Sequence, residues 1–131
     1  MATFNSDRAI FLQMADRLCD EILIGTYAEG DRIPSVRDYA VSLEVNTNTA
    51  VKTYEYLSRE GVIFNKRGIG YFVAEGAKEK IMVERRLDFF NRTIPEIFRQ
   101  MTLLGLCVND VYDHLNDLAS APKLSSATQT E

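Results

Sequence analysis

The sequence predicts a mainly α-helical fold with one small β-hairpin, because the spacing of apolar residues changes twice along the 131-residue chain. Before residue 61, apolar residues recur every three or four positions, as in helices that bury one face. Between residues 62 and 74 they alternate with polar residues, as in two short strands. After residue 76 the helical spacing returns as a seven-residue repeat. Three helices, a hairpin and a second helical region are therefore expected in that order.

The composition excludes several classes of protein. The chain is 46% hydrophobic and 26% charged, which is typical of a globular domain. No apolar run approaches the roughly 18 to 20 residues of a membrane span, and the first residues lack the features of a signal peptide, so a cytoplasmic location is expected, with no membrane partner. Two cysteines and one histidine, without metal-ligand spacing, predict no metal site and no cofactor. No nucleophile with a neighbouring base and no Gly-rich phosphate loop is present, so no catalytic residues and no enzyme activity are predicted.

Two amphipathic segments open the chain. Residues 8–24 form the first predicted helix, which ends at Gly25. Its apolar face contains Phe11, Met14, Ala15, Leu18 and Ile22. Residues 32–34 are predicted to be an extended connector, because the residue before a proline avoids the helical conformation. Ser35 is the predicted N-cap of the second helix, with Asp38 three residues further on.

A third helix and a hairpin follow. The helix is capped by Asn46 and ends at Gly61, which accepts the left-handed conformation that closes a helix. Its predicted inner face contains Ala50, Thr53, Tyr54 and Leu57. Two strands, VIFNK and YFVA, are joined by residues 67–70. Three helices followed by a hairpin is the order of a winged helix-turn-helix domain.

The start of the third helix is unusually rich in short polar side chains, since residues 46–49 read Asn-Thr-Asn-Thr. In a helix-turn-helix the second helix of the motif enters the major groove with its N-terminal end first. Short amide and hydroxyl groups fit a groove about 12 Å wide and can bond base edges or phosphates. The same residue types are ordinary helix caps. They therefore indicate DNA contact only in combination with the helix before them and the hairpin after them.

Residues 30–73, GDRIPSVRDYAVSLEVNTNTAVKTYEYLSREGVIFNKRGIGYFV, resemble the DNA-binding domain of the GntR family of bacterial transcription regulators. The matching features are Pro-Ser-x-Arg, a polar Asn-Thr helix start, Leu-x-x-Glu-Gly, and Arg-Gly-x-Gly before an aromatic-valine strand. The short helical C-terminal region is similar to that of the YtrA-type subgroup. The resemblance implies a sequence-specific DNA-binding transcription regulator. The leading hypothesis is a repressor that binds an inverted-repeat operator in double-stranded DNA as a homodimer.

The resemblance also implies which residues contact DNA: the arginine of Pro-Ser-x-Arg, the start of the third helix and the tip of the wing. The predicted DNA-binding residues are Ser35, Arg37, Asn46, Thr47, Asn48, Thr49, Lys52, Arg67, Gly68 and Gly70. Many members of the family carry arginines at the positions of Thr47 and Val51, so this chain is not expected to read guanine from those two sites. Lys52 fits a solvated helix face as well as it fits a phosphate contact.

The charge of the chain restricts how it could bind DNA. The net charge is −4, and residues 1–76 contain eight Lys or Arg against eleven Asp or Glu, a net charge of −3. A single copy would bind DNA weakly, because neutralisation of phosphates supplies most of the non-specific affinity. Two copies on adjacent half-sites would bind more tightly.

Residues 77–118 are predicted to be a helical hairpin that forms a dimer. Their apolar residues form a seven-residue repeat through Pro95, so one long helix with a kink at that proline is expected, closed by Gly105 and followed by a shorter helix. Two helices cannot cover both apolar faces alone, which predicts a homodimer. The predicted interface residues are Val83, Leu87, Phe90, Ile94, Ile97, Met101, Leu104, Val111 and Leu115.

The predicted organisation is therefore a winged helix-turn-helix DNA-binding domain in residues 1–76, a helical dimerisation region in residues 77–118 and a disordered tail in residues 119–131. One alternative function is a winged-helix module that binds proteins and not DNA. The aromatic residues of the C-terminal region could instead line a ligand pocket, and Cys107 could act as a redox sensor. The sequence identifies no small-molecule effector.

Overall fold

The computed structural model describes residues 8–121, which form six α-helices and one two-stranded antiparallel hairpin. The elements are α1 (Ile10–Leu23), α2 (Val36–Leu43), α3 (Thr47–Arg59), β1 (Ile63–Lys66), β2 (Gly70–Val73), α4 (Ala77–Asp88), α5 (Ile94–Leu104) and α6 (Val108–Ser120). The predicted mainly α-helical fold with a winged helix-turn-helix order is thus confirmed. No helix in the described part of the chain is long and apolar enough to cross a membrane.

Helices α1, α2 and α3 pack around one hydrophobic core. The apolar faces of these three helices are buried, except that Phe11 and Val36 are only half-buried. The helical part of the core contains Met14, Ala15, Leu18, Ile22, Tyr39, Ala40, Leu43, Ala50, Tyr54 and Leu57. Thr53 is also fully buried, and its hydroxyl donates to the Phe11 carbonyl at 2.9 Å, which joins α3 to α1.

The predicted caps fix where α2 and α3 begin. The Ser35 hydroxyl accepts a hydrogen bond from the Asp38 N–H at 3.1 Å, and the Asn46 side-chain oxygen accepts one from the Asn48 N–H at 2.7 Å. Between the two helices, Glu44 adopts a left-handed conformation with φ of 58°, which reverses the chain within a few residues. This tight turn places the start of α3 at the surface.

The hairpin forms the wing of the domain. Ile63 pairs with Val73, and both side chains are buried against the helices. The connector before α2 extends the sheet, because the Ile33 N–H donates to the Tyr71 carbonyl at 3.0 Å and Arg32 pairs with Phe72. The sequence placed Gly70 in the loop, whereas the structure places it in β2.

The described residues fall into two compact units that divide between Val83 and Glu84. The first unit therefore extends past residue 76, because Ala77 and Ile81 at the start of α4 are buried in its core. Helix α6 continues to Ser120, two residues into the predicted tail, and the rest of that tail lies outside the described residues. The division of function between residues 1–76 and 77–118 stays a prediction.

A change in helical hydrogen bonding lies just before Pro95, where the sequence predicts a kink. A π-helical turn, Phe89–Thr93, joins α4 to α5. Proline has no N–H, so the carbonyl four residues before it loses its usual helical partner. The Ile94 N–H donates to the Phe89 carbonyl five residues earlier, and the chain remains helical through the proline. The predicted end of this segment at Gly105, with φ of +69°, is confirmed.

No side chain between residues 84 and 121 is buried within a single copy of the chain. The residues predicted to form a dimer interface are correspondingly accessible, and Phe90 and Leu104 are 66% and 70% exposed. Met101 and Val111 are half-buried. The second unit thus has an apolar face and no core of its own.

Candidate nucleic-acid interface

The first turn of α3 presents polar side chains to solvent. Thr47 and Asn48 are exposed, and Thr49 is half-buried. The Asn46 side-chain oxygen is used by the helix cap, so the capping role that the sequence left open applies to this residue. The Asn46 amide N–H₂ group and the side chains of Thr47 and Asn48 remain available to bond base edges or phosphate oxygens.

Arg37 lies in the first turn of α2 and is exposed. Asp31 and Asp38 are close to Arg37 in the sequence, but within residues 8–121 Arg37 forms no ion pair. The Asp31 carboxylate instead accepts a hydrogen bond from the Ala28 N–H at 2.8 Å. The Arg37 guanidinium is therefore free to bind an anionic partner.

One buried side chain connects three parts of the candidate interface. Tyr54 of α3 is fully buried, and its hydroxyl donates to the Pro34 carbonyl at 2.6 Å, immediately before Ser35 caps α2. Its ring meets the ring of Tyr71 in β2 edge to face, with 5.0 Å between the centroids. Tyr54 thereby fixes the position of α3 relative to the start of α2 and to the wing.

The buried tyrosines act as hydrogen-bond donors. Burial is the main cause that raises the pKa of Tyr54 and of Tyr39 far above the usual value for tyrosine, so both hydroxyls stay protonated. Tyr39 donates to the Glu21 carboxylate at 3.3 Å, on the α1 side of the core. Burial also raises the pKa of the Glu21 carboxyl, against the opposing effects of the Arg17 charge and this hydrogen bond.

Lys52 is exposed on α3, and its ammonium lies 5.3 Å from the centroid of the Phe11 ring. This cation–π contact draws the lysine towards α1. The structure thus gives Lys52 an intramolecular partner that the sequence did not indicate, and its predicted phosphate contact stays a prediction.

The tip of the wing is a tight turn closed by a hydrogen bond from the Ile69 N–H to the Lys66 carbonyl at 2.9 Å. Gly68 has φ of +79°, which glycine adopts at little cost, and no atom lies within 4 Å of the place where a Cβ would stand. Arg67 is exposed beside it. The tip therefore presents open backbone and one cation to a partner.

Sequence reasoning did not assign a role at the interface to Tyr54 or Arg32. A polar aromatic residue on an inner helix face needs a hydrogen-bond partner, and that need was the available signal for Tyr54. Arg32 was treated only as part of a connector, although the alternation of exposed Arg32 with buried Ile33 is the pattern of an edge strand. Within residues 8–121, no group of three or more His, Cys, Asp or Glu side chains could hold a metal ion.

The fold and this surface define the class of the protein: a winged helix-turn-helix, with an exposed polar start of the third helix, an exposed arginine in the helix before it and a glycine-tipped wing. The profile of the family described as "Bacterial regulatory proteins, gntR family" matches residues 11–73. The HTH-type transcriptional regulator YhcF of Bacillus subtilis (strain 168) is 35% identical over 111 residues, which are 84% of this chain and 89% of that protein. The chain belongs to the gntR family of bacterial regulatory proteins.

Two further comparisons agree with this assignment. The HTH-type transcriptional repressor YtrA of Bacillus subtilis (strain 168) is 27% identical over 118 residues, which are 90% of each chain. The crystal structure of a GntR-family transcriptional regulator from Bacteroides thetaiotaomicron is 47% identical, with a TM-score of 0.67, and the match covers 85% of this chain and 96% of that one. The resemblance stated from the sequence is confirmed, and the class of function is DNA-binding transcription regulation.

Proposed function

We propose that the protein is a homodimeric repressor that binds an inverted-repeat operator through the start of α3, Arg37 and the tip of the wing. The observation that carries the DNA-binding part is the exposed, uncharged polar turn at Thr47 and Asn48, together with the exposed Arg37, which forms no ion pair with any residue that the structure describes. Such a helix end fits the major groove, because short side chains let the backbone approach the bases.

The wing and Arg37, in this proposal, supply the positive charge that the first turn of α3 lacks. In this proposal Arg67 and the backbone at Gly68 lie against the phosphates or the minor groove next to the half-site. Arg37 bonds a phosphate or a base edge from the first turn of α2. Ser35 keeps this turn in place through its cap to the Asp38 N–H.

The exposed apolar face of residues 84–121 supports the homodimer. Large side chains such as Phe90 and Phe98 are 66% and 63% exposed in a single copy. Complete burial of one such side chain contributes about 1.5 to 3 kcal/mol, so leaving all of them in water would forgo a large stabilisation. A second copy presents the same face, and a two-fold axis lets the two faces cover each other.

Two-fold symmetry of the protein requires two-fold symmetry of its site. Two recognition helices that enter successive turns of the major groove read half-sites about 10 base pairs apart, in inverted orientation. The action as a repressor is supported by the similarity to YtrA, whose name describes a transcriptional repressor and which aligns over 90% of both chains. A repressor of this kind acts by occupying its operator.

Selection of binding sites from random duplexes, followed by fluorescence anisotropy at two salt concentrations, tests the proposal. We expect an enriched inverted repeat, bound by two copies, with an affinity that falls as salt rises. If no sequence is enriched even at low salt while the protein is dimeric, the DNA-binding proposal fails and a protein-interaction module is favoured.

Sedimentation velocity at micromolar concentration tests the dimer directly. The variant Phe90→Asp/Ile97→Asp should sediment as a monomer, because dimer formation would bury two carboxylates without partners. The matched control, Asn91→Asp/Asn109→Asp, adds the same two charges at exposed polar positions and should remain dimeric. A monomeric parent that still binds the operator tightly would refute the proposed role of residues 77–118.

A further inference from the structure

The outer face of the wing carries two cations that the proposed function has not used. Lys66 pairs with Gly70 across the hairpin, and Arg32 pairs with Phe72 on the opposite edge of β2. Partners across an antiparallel ladder point their side chains to the same face. Arg32 and Lys66 therefore approach one face of the wing from its two edges.

Gly70 leaves room for the Arg32 guanidinium on this face of the wing. A Cβ at this position would lie 2.9 Å from the Arg32 Nε and 3.2 Å from its Nη2, so the guanidinium occupies the space that any other side chain would fill. The guanidinium thus lies over β2, one strand spacing of about 4.8 Å from the strand that carries Lys66. Gly70 is needed for this arrangement as well as for its φ of +147°.

Lys66 is held over the same face by an aromatic pair. Its ammonium lies 4.8 Å from the centroid of the Phe72 ring, and Phe72 stacks on Phe64 with 5.8 Å between centroids. Among the described residues, neither Arg32 nor Lys66 forms an ion pair with a carboxylate. Two neighbouring cations without a counter-ion repel each other, and an anion bound between them would remove that repulsion.

We propose that Arg32 and Lys66 form a binding site for one phosphodiester group of DNA on the outer face of the wing. The planar guanidinium offers a fork of N–H donors that matches phosphate oxygens, and the ammonium adds a point charge. The site makes the face of the hairpin, and not only its tip, part of the interface. This inference rests on the proposed DNA binding and specifies an additional contact for it.

The experiment measures how the affinity for the selected duplex depends on salt, for the full-length parent, Arg32→Gln, Arg32→Lys and Arg59→Gln. Arg59 is the matched control, because it is an exposed arginine at the far end of α3. Loss of one phosphate contact reduces the slope of log affinity against log salt by about 0.9, hence by about 1.8 for a dimer. When salt rises fourfold, the affinity of both proteins falls. The factor by which it falls should be roughly twelve times smaller for Arg32→Gln than for the parent.

Arg32→Lys should keep the slope of the parent, since it keeps the charge, and Arg59→Gln should keep it too. Thermal unfolding of Arg32→Gln should match that of the parent. The inference is overturned if Arg32→Gln keeps the full slope, as it would if this face bound an acidic protein segment. It is equally overturned if Arg59→Gln or Arg32→Lys loses as much slope as Arg32→Gln. It is also overturned if Arg32→Gln lowers thermal stability and leaves the slope intact. A parent that binds no duplex at all would instead refute the proposed function.

Discussion

Replacement of Tyr54 by Phe removes one hydroxyl group from the centre of the DNA-binding unit. The hydroxyl donates to the Pro34 carbonyl at 2.6 Å, and the ring stays in contact with Tyr71. Phenylalanine keeps the ring and its packing, so the substitution leaves no cavity. The change isolates the hydrogen bond that joins α3 to the residue before the cap of α2.

The expected cost follows from the burial of both partners. A typical hydrogen bond contributes about 0.5 to 1.5 kcal/mol to stability, and a fully buried acceptor that loses its partner costs about 1 to 3 kcal/mol. Pro34 is only half-buried, so water can partly replace the lost donor. We therefore expect Tyr54→Phe to lower the free energy of unfolding by about 1 to 2 kcal/mol.

DNA binding should weaken as well, because the start of α2 and Arg37 lose their link to α3. If binding has to restore about 1 kcal/mol of order in each copy, the affinity falls about fivefold per copy and about thirtyfold for the dimer. Denaturant unfolding and anisotropy with the selected duplex measure the two effects under conditions where both proteins are folded.

Tyr39→Phe is the matched control for this experiment. It also removes one buried tyrosine hydroxyl, but that hydroxyl makes a longer bond of 3.3 Å to Glu21, on the side of α1. We expect a cost of about 0.5 kcal/mol and unchanged DNA affinity. Equal DNA affinities for Tyr54→Phe and Tyr39→Phe, with Tyr54→Phe less stable, would show that the Pro34 link does not position the interface.

Three further predictions concern single side chains. Arg37→Ala should weaken operator binding by about 1 to 3 kcal/mol with unchanged unfolding, which anisotropy and denaturant titration measure; unchanged affinity would remove this residue from the interface. Gly68→Ala should cost about 1 to 2 kcal/mol of stability from the positive φ alone, since the added Cβ meets no atom. If the backbone of the tip approaches the groove, the loss of DNA-binding free energy should exceed this loss of stability. Burial raises the pKa of Glu21, so the folded parent holds this proton more tightly than the unfolded chain, and stability is lost as pH rises through the folded pKa. Glu21→Gln should therefore be more stable than the parent by a margin that grows as the pH rises above the ordinary pKa of glutamate, about 4.3, and a margin that does not change with pH in urea titrations would contradict the assignment.

The sequence predicted the first unit well because each local signal agreed with its neighbours. The caps at Ser35 and Asn46, the left-handed stop at Gly61 and the alternation of the strands all depend on residues within a few positions of one another. Local chemistry of this kind is visible in one sequence. The exposed start of α3 was predictable for the same reason. The apolar residues identify the inner face of the helix, and the remaining residues must then face the solvent.

The features that the sequence did not predict depend on contacts between distant residues. The Tyr54 hydroxyl reaches a carbonyl 20 positions away, and the Arg32 guanidinium fills a space that exists only because Gly70 is brought beside it by the sheet. The π-helical turn was missed for a different reason. A helix can pass a proline with or without a change of hydrogen-bond register, and the spacing of apolar residues does not distinguish the two.

The acidic balance of the chain has a consequence for specificity as well as for affinity. Residues 1–76 carry a net charge of −3, and α1 contributes several of the carboxylates, including Asp16 and Asp20. A surface of this kind is repelled by DNA except where cations are grouped, so the protein should bind duplex in few orientations and hold random sequence weakly. In the proposed dimer, the second half-site supplies the affinity that each copy lacks, because it is contacted at high effective concentration. Low non-specific affinity then becomes an advantage, since the occupancy of the operator in a genome depends on the ratio of specific to non-specific affinity. The apolar face of the second unit and the small number of cations in the first are therefore complementary features of one mode of recognition.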